Sequence, residues 1–357
     1  MKRISFLVSV ALLFAASYVA NAQMYTLKDA YKPYFSVGVA VNLRNISDPQ
    51  QSAVVLRNFN SITAENVMKP QLVHPYQGEF DWEDADKVAD FCRQNGIKLR
   101  GHCLMWHKQI GEWMFKDENG NYVSKEILFD RMRTHINAVV NRYKDIVYCW
   151  DVVNEAINDD STSPDFYRTT SGFWEICHDG EWIEKAFQYA READPNALLF
   201  YNDFNECDPV KRQRIYDMVK KMKAKGVPID GIGMQAHYNI FGPSMKEVDK
   251  TIKMFSELVE HIHVTELDVR LTNSTGGNQR YAQTGEVTLN EEDLKKQEEY
   301  YDELFKVFRK NKKYLDVVTF WNLADADSWL GRQNAPLLFD FNFRPKPVYR
   351  TVVNFKD

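Results

Sequence analysis

No Pro/Ser-rich linker, low-complexity tract or internal repeat interrupts the 357 residues. That argues against a string of small modules or a repeat solenoid and leaves length for one sizeable core. Long apolar runs are equally scarce. One lies near the N-terminus, is too short to span a bilayer comfortably, and no second follows, so no membrane-spanning helix is expected. Cysteine is sparse and odd in number (residues 92, 103, 149, 177 and 207). No pair has metal-ligand spacing, and Cys103 and Cys149 fall inside apparent core strands, where a free thiol behaves as a small hydrophobe. One or two disulfides remain open, without a pairing. Charge of one sign is also lacking. With 45 basic and 50 acidic residues and a formal charge of −5, nothing electrostatic favours nucleic acid or an anionic membrane.

The N-terminal run reads as an export signal. Lys2 and Arg3 give a positive start, residues 4–16 are apolar, and Ala20-Asn21-Ala22 supplies a small-x-small cleavage pattern. Residues 1–22 are expected to be a signal peptide, with residues 23–357 forming one catalytic domain, periplasmic or secreted. Removing Lys2 and Arg3 shifts the charge from −5 to −7. No cysteine follows the cut, so a lipid anchor is not expected. A monomer is.

Aromatic residues are the compositional surplus: 8 Trp, 18 Tyr and 22 Phe. Flat apolar rings beyond the needs of a core are expected where sugar faces stack. Strand-like segments at 35–41, 61–64, 98–105, 147–153, 197–201, 231–236, 261–266 and 317–322 alternate with helical patterns at 82–95, 125–142, 181–193, 210–225, 245–258 and 291–310. Eight such alternations predict an α/β fold, a single (β/α)8 TIM barrel with its active site at the C-terminal ends of the strands. The polar segment 272–288 reads as a long loop over that face.

Two glutamates close buried-strand patterns, Glu155 in Trp-Asp-Val-Val-Asn-Glu and Glu266 in His-Val-Thr-Glu-Leu-Asp. They lie 111 positions apart, the span of three βα units. Two carboxylic acids at one barrel face suit a retaining glycosidase, in which one protonates the leaving oxygen and the other attacks the sugar. A strand-end acid more commonly caps a helix or forms an ion pair. Here polar residues recur at strand after strand: Glu65, Asn66 and Lys69; His102, Trp106 and His107; Asn154; Tyr201 and Asn202; Gln235 and His237; Asp268; Trp321 and Trp329. Packing alone does not account for so many in register.

The motifs Thr-x-Glu-Asn-x-Met-Lys (63–69), Gly-His-x-x-x-Trp-His (101–107), Trp-Asp-Val-Val-Asn-Glu (150–155), Tyr-Asn-Asp (201–203), Gln-x-His (235–237) and Thr-Glu-Leu-Asp (265–268) resemble the glycoside hydrolase family 10 endo-β-1,4-xylanases across the mature length. The resemblance implies a retaining xylanase acting on xylan, with Glu155 as acid/base and Glu266 as nucleophile, needing no cofactor or metal. It assigns Asn154 to the 2-hydroxyl at subsite −1, Lys69 and His102 to the 3-hydroxyl, and Glu65 and Asn66 to the −2 xylose. His237, supported by Asp268, would bond the nucleophile, and Gln235 would lie near the acid/base. Trp321 and Trp329 would wall the −1 site with Trp106 beneath it, and Tyr201 and Asn202 would face the aglycone. Pro70, Asn322 and Ala324 depart from the usual pattern at neighbouring positions.

Three other readings compete. His261 and His263 have metal-ligand spacing, but they precede Glu266 by three to five positions and so lie away from the active face. A non-catalytic sugar-binding barrel would be expected to lack one of the glutamates. A β-1,4-glycanase with mixed xylan and cellobioside activity is separated from a xylanase by the −1 walls, and the bulk of Trp329 favours a sugar without a C5 hydroxymethyl.

Overall fold

Strands that are apolar on both faces need cover on both sides, which helices packed around a closed parallel sheet provide. In the computed structural model, which describes residues 25–273 and 288–356, nine strands are arranged in this way. They are β1 (Ser36–Val41), β2 (Ser61–Ala64), β3 (Lys98–Trp106), β4 (Val147–Asn154), β5 (Leu198–Asp203), β6 (Gly231–Met234), β7 (His237–Asn239), β8 (His261–Arg270) and β9 (Leu315–Phe320). Every pairing is parallel. The order runs β6-β5-β4-β3-β2-β1-β9-β8-β7, and β6 also pairs with β8. That last pairing closes an eight-stranded (β/α)8 barrel, with β7 a short continuation of β6 along β8.

The helices begin and end where local chemistry directs. Ser124 accepts from the Ile127 amide to start Lys125–Tyr143. Asp208 accepts from Val210 and Lys211 to start Pro209–Ala224, and Asn290 caps Glu291–Lys310 in the same way. Each satisfies amides that have no partner inside the helix. Gly96, with φ 62°, ends Glu83–Asn95 in the left-handed region where glycine carries no steric penalty. No helix among the described residues is long and apolar enough to cross a membrane.

Two expectations shift. Sequence periodicity ends the sixth strand at Ala236 and the seventh at Glu266. In the structure Ala236 has φ 59° and breaks the sixth strand into β6 and β7. β8 runs on to Arg270, with a register irregularity between Val264 and Leu267. A polar residue mid-strand is tolerated there because it sits at the barrel mouth, not in an apolar layer. All five cysteines are free and buried. His261 and His263 have separate partners: His261 bonds Asp316 at 2.7 Å, while buried His263 lies against Phe200. The signal-peptide segment lies outside the described residues, as does all of the predicted long loop except residues 272, 273 and 288.

Beside the strands, space is taken up by large side chains from neighbouring strands, so some positions admit only glycine. A Cβ on Gly101 would stand 2.1 Å from the Trp150 ring, and Trp150 is itself fully buried. Gly101→Ala should therefore cost about 1–3 kcal/mol through overpacking, read as a lowered urea midpoint at unchanged slope. An unshifted midpoint would show that the ring has room to yield.

Candidate active site

Parallel strands deliver their C-terminal residues to one rim, and the backbone there is unusual. Gln109, Glu155, Asn205, Ala236 and Asn322 all follow strands and all have positive φ. For residues other than glycine this costs roughly 1–3 kcal/mol each and persists only where surrounding contacts over-determine it. The face that carries the predicted residues is thus the strained face.

The two glutamates are joined by side-chain amides. Asn202 Nδ2 donates to Glu266 Oε1 at 2.7 Å and to Asn154 Oδ1 at 2.9 Å. Gln235 Nε2 donates to the same Asn154 oxygen at 3.2 Å and to Glu155 Oε1 at 3.1 Å. The Thr265 hydroxyl donates to Asn202 Oδ1 at 2.6 Å, which fixes the orientation of that amide. Trp106 closes the other side of Glu155, its indole N–H donating to Oε2 at 2.9 Å. Both carboxyls are buried, yet at 8% and 5% exposure neither is sealed.

Their surroundings differ in charge. Glu266 Oε2 lies 3.2 Å from His237 Nε2, and His237 Nδ1 lies 2.9 Å from Asp268 Oδ2. Trp329 donates its indole N–H to that same Asp268 oxygen at 2.9 Å. Burial works against a charged imidazole, but Asp268 and Glu266 outweigh it and push the His237 pKa up to about 10. The consequence returns to Glu266. Burial alone would raise its carboxyl; the bond to His237 and the fields of His102 and His237 overcome this and hold its pKa below the ordinary value. Glu155 has neutral donors around its carboxyl: an indole and two amides.

The opposite wall is built from β2 and β3. Lys69 Nζ donates to Asn66 Oδ1 and to Gln109 Oε1, both at 2.9 Å, and lies 4.9 Å from the Trp106 ring centre. Burial lowers the Lys69 pKa against the opposing pull of Cys103, Glu266, Glu65 and Glu155. Glu65 is buried at the end of β2. His102 Nδ1 lies 2.8 Å from Asp151 Oδ2, and Asp151 is paired with Arg100 through both guanidinium nitrogens. The Trp321 ring stands edge-on to His102 at 5.3 Å, whereas the Trp329 ring meets His237 at 5.0 Å. The two indoles therefore flank different histidines.

Tyr201 does not stand where the sequence placed it. It is fully buried, and its hydroxyl is taken by the Ala156 and Ile157 amides and by Asp203. β5 pairs with β6 without interruption, so alternation along the strand puts Tyr201 on the face opposite Asn202, behind the site. Asn202 is likewise buried, its amide bonded to Glu266 and Asn154. Several residues at the site had been given no role: Gln109, Thr265, Arg168 and the Arg100–Asp151 pair. Asp151 carried a signal, since a carboxylate inside a buried strand requires a partner, and Arg100 on β3 was the available cation.

Comparison with known proteins agrees with this geometry. The sequence profile of Glycosyl hydrolase family 10 matches residues 26–355, and the chain belongs to that family. It is 53% identical over 340 residues to an endo-1,4-beta-xylanase/feruloyl esterase of Xylanibacter ruminicola, covering 92% of this chain and 46% of that protein. It is 40% identical to endo-1,4-beta-xylanase B of Paenibacillus barcinonensis, covering 93% of this chain and 99% of that one. A solved structure described as a psychrophilic glycoside hydrolase family 10 endo-beta-1,4-xylanase shares 59% identity at a TM-score of 0.88, over 93% of this chain and 99% of the other. The chain spans about half the length of the Xylanibacter relative and of a Caldicellulosiruptor one, at 46% and 48%.

The charge on His237 gives a pH signature. Its folded pKa, about 10, stands above the ordinary 6.5, so the stability it adds is complete below about pH 6.5 and is lost as pH rises through about 10. By NMR, the His237 imidazole should remain protonated at pH 8, and Asp268→Asn should bring its titration down toward the ordinary value. A neutral His237 at pH 8, or a titration unmoved by Asp268→Asn, would contradict the charge assignment.

Proposed function

We propose that the protein hydrolyses internal β-1,4-xylosidic bonds of xylan with retention at the anomeric carbon, Glu266 serving as nucleophile and Glu155 as acid/base. The observation that carries this reading is the asymmetry between the two carboxyls: a cationic imidazole is bonded to Glu266, and only neutral donors to Glu155. A group held ionised is available to attack carbon. One without a cation against it can keep a proton until the neighbouring charge is consumed. The family membership and the xylanase names of the relatives support the substrate class, and none of those names favours the glucan-directed alternative.

In the first step a Glu266 oxygen bonds to C1 as the C1–O bond to the leaving sugar breaks, and the Glu155 proton passes to the departing oxygen. In the second, water attacks C1, gives its proton to Glu155 and releases Glu266 as carboxylate. Asn154 would hold the 2-hydroxyl, a bond that strengthens as positive charge develops on the ring. Lys69 and His102 would take the 3-hydroxyl, and Glu65 and Asn66 the next xylose. Gln235 lies against the acid/base, and the faces of Trp106, Trp321 and Trp329 would pack on the sugar C–H surfaces. Asn202 and Tyr201 act behind this surface. Export as a monomer through residues 1–22 belongs to the same proposal, and N-terminal sequencing of the secreted protein, starting near Gln23, tests it.

The assignments separate by leaving-group chemistry. Glu155→Ala should lose activity on xylan, whose alkoxide departs poorly without a proton, yet still form glycosyl-enzyme from a dinitrophenyl xylobioside and then stall. Azide needs no general base, so it should restore turnover and yield the β-glycosyl azide. Glu266→Ala should fail on both substrates. A β-azide from Glu266→Ala, or an α-configured first product of the wild type by NMR, would overturn the scheme.

A further inference from the structure

The backbone that carries Glu155 is held in a conformation its own residue type does not favour. Glu155 has φ 57°, in the left-handed region where a Cβ crowds the chain. Its N–H donates to the Asn202 carbonyl at 2.9 Å, and its carbonyl accepts from Arg168 Nε at 3.2 Å. The next two amides, Ala156 and Ile157, both donate to the Tyr201 hydroxyl oxygen, each at 3.0 Å. That hydroxyl has one proton, and it donates this to Asp203 Oδ2 at 2.5 Å. The other Asp203 oxygen lies 2.8 Å from Lys211 Nζ and accepts from the Phe204 amide at 2.9 Å.

Tyr201 and Asp203 are fully buried, and Lys211 is 1% exposed. An ion pair taken this far out of water contributes little stability by itself, because desolvation offsets the attraction. A geometric task accounts for it better. Burial raises the Asp203 pKa while Lys211 and the Tyr201 hydroxyl pull it down; with two amides donating to the hydroxyl oxygen, its one proton is left to point at Asp203 Oδ2. With its proton committed, the hydroxyl oxygen presents its lone pairs to the two amides that follow Glu155. None of the three side chains hydrogen-bonds the Glu155 carboxyl, whose partners are Trp106, Gln235 and Asn154.

We propose that Tyr201, oriented by the buried Asp203–Lys211 pair, is a positioning residue that sets the direction in which Glu155 delivers its proton. The inference rests on the assignment of Glu155 as acid/base. Removing the hydroxyl leaves the 156 and 157 amides without their acceptor, and the left-handed turn at Glu155 loses its anchor. The loss then falls on steps that need proton transfer and spares those that do not.

The test is Tyr201→Phe, compared with Glu155→Ala and with Tyr143→Phe, which deletes a hydroxyl bonded to Asp86 on the outer helices. kcat/KM is measured on xylan and on dinitrophenyl xylobioside in one preparation. Their ratio does not depend on the fraction of enzyme that is correctly folded. Tyr201→Phe should lower kcat/KM on xylan by roughly 10- to 100-fold, within the range that general acid catalysis contributes. On the dinitrophenyl substrate the change should stay within about threefold, and Tyr143→Phe should leave the ratio unchanged. Equal losses on both substrates, or no loss on either, would overturn the positioning role while a leaving-group-dependent Glu155→Ala upholds the acid/base assignment. If Glu155→Ala also treats both substrates alike, that assignment fails and this proposal with it.

Discussion

Both hydrogens of the Asn202 side-chain amide are committed, one to Glu266 and the other to Asn154. The rest of the site depends on that bridge. Two buried carboxylates near one another repel, and a pair left to itself would relieve the repulsion by moving apart or sharing a proton. Neutral amide donors hold both groups in place without adding charge. The barrel makes this possible. Asn154 and Asn202 are register partners on adjacent strands, and Gly233 on β6 leaves room, since a Cβ there would stand 2.3 Å from the Asn202 oxygen.

The charge beside Glu266 comes from the run Asp268, His237, Glu266. A buried carboxylate would ordinarily gain a proton, yet an imidazolium supported from behind by Asp268 keeps Glu266 ionised. Trp329 ties its indole to the same aspartate, so that indole and the His237 imidazole beside Glu266 share one anchor. On the far side His102 is held by Asp151 and, through it, by Arg100. Burial alone would raise the Asp151 pKa; Arg100 and His102 outweigh it and keep the carboxyl ionised. In each case a histidine at the strand-end face is fixed by a buried carboxylate behind it.

Much of this was legible in the chain. The helices Glu181–Ala193 and Glu291–Lys310 have the bounds that periodicity alone assigns, because capping and amphipathic spacing are local properties. The residues of the site were legible as types at strand ends. Their directions were not. Tyr201 and Asn202 are neighbours on a regular strand, so only one of them can face the cleft, and the contacts of Asn202 with Glu266 and Asn154 show which. The break at Ala236 is set by neighbours too, since the Gln235 amide bonds the Asp203 carbonyl of another strand. Arg100 and Lys211 each meet a buried carboxylate far from them in the chain or on another element, and such pairings are set by the fold.

The central claim is that Glu266, and not Glu155, forms a covalent bond to the sugar, and trapping that bond tests it most directly. A 2-deoxy-2-fluoro xylobioside with a dinitrophenolate leaving group slows both steps by withdrawing charge from the oxocarbenium-like transition state, while the good leaving group preserves the first. Incubation followed by mass spectrometry of the intact protein and of its peptides should show one fluoroxylobiosyl group per chain, on the peptide that carries Glu266. Adduct on the Glu155 peptide, or steady hydrolysis with no adduct at all, would contradict the account.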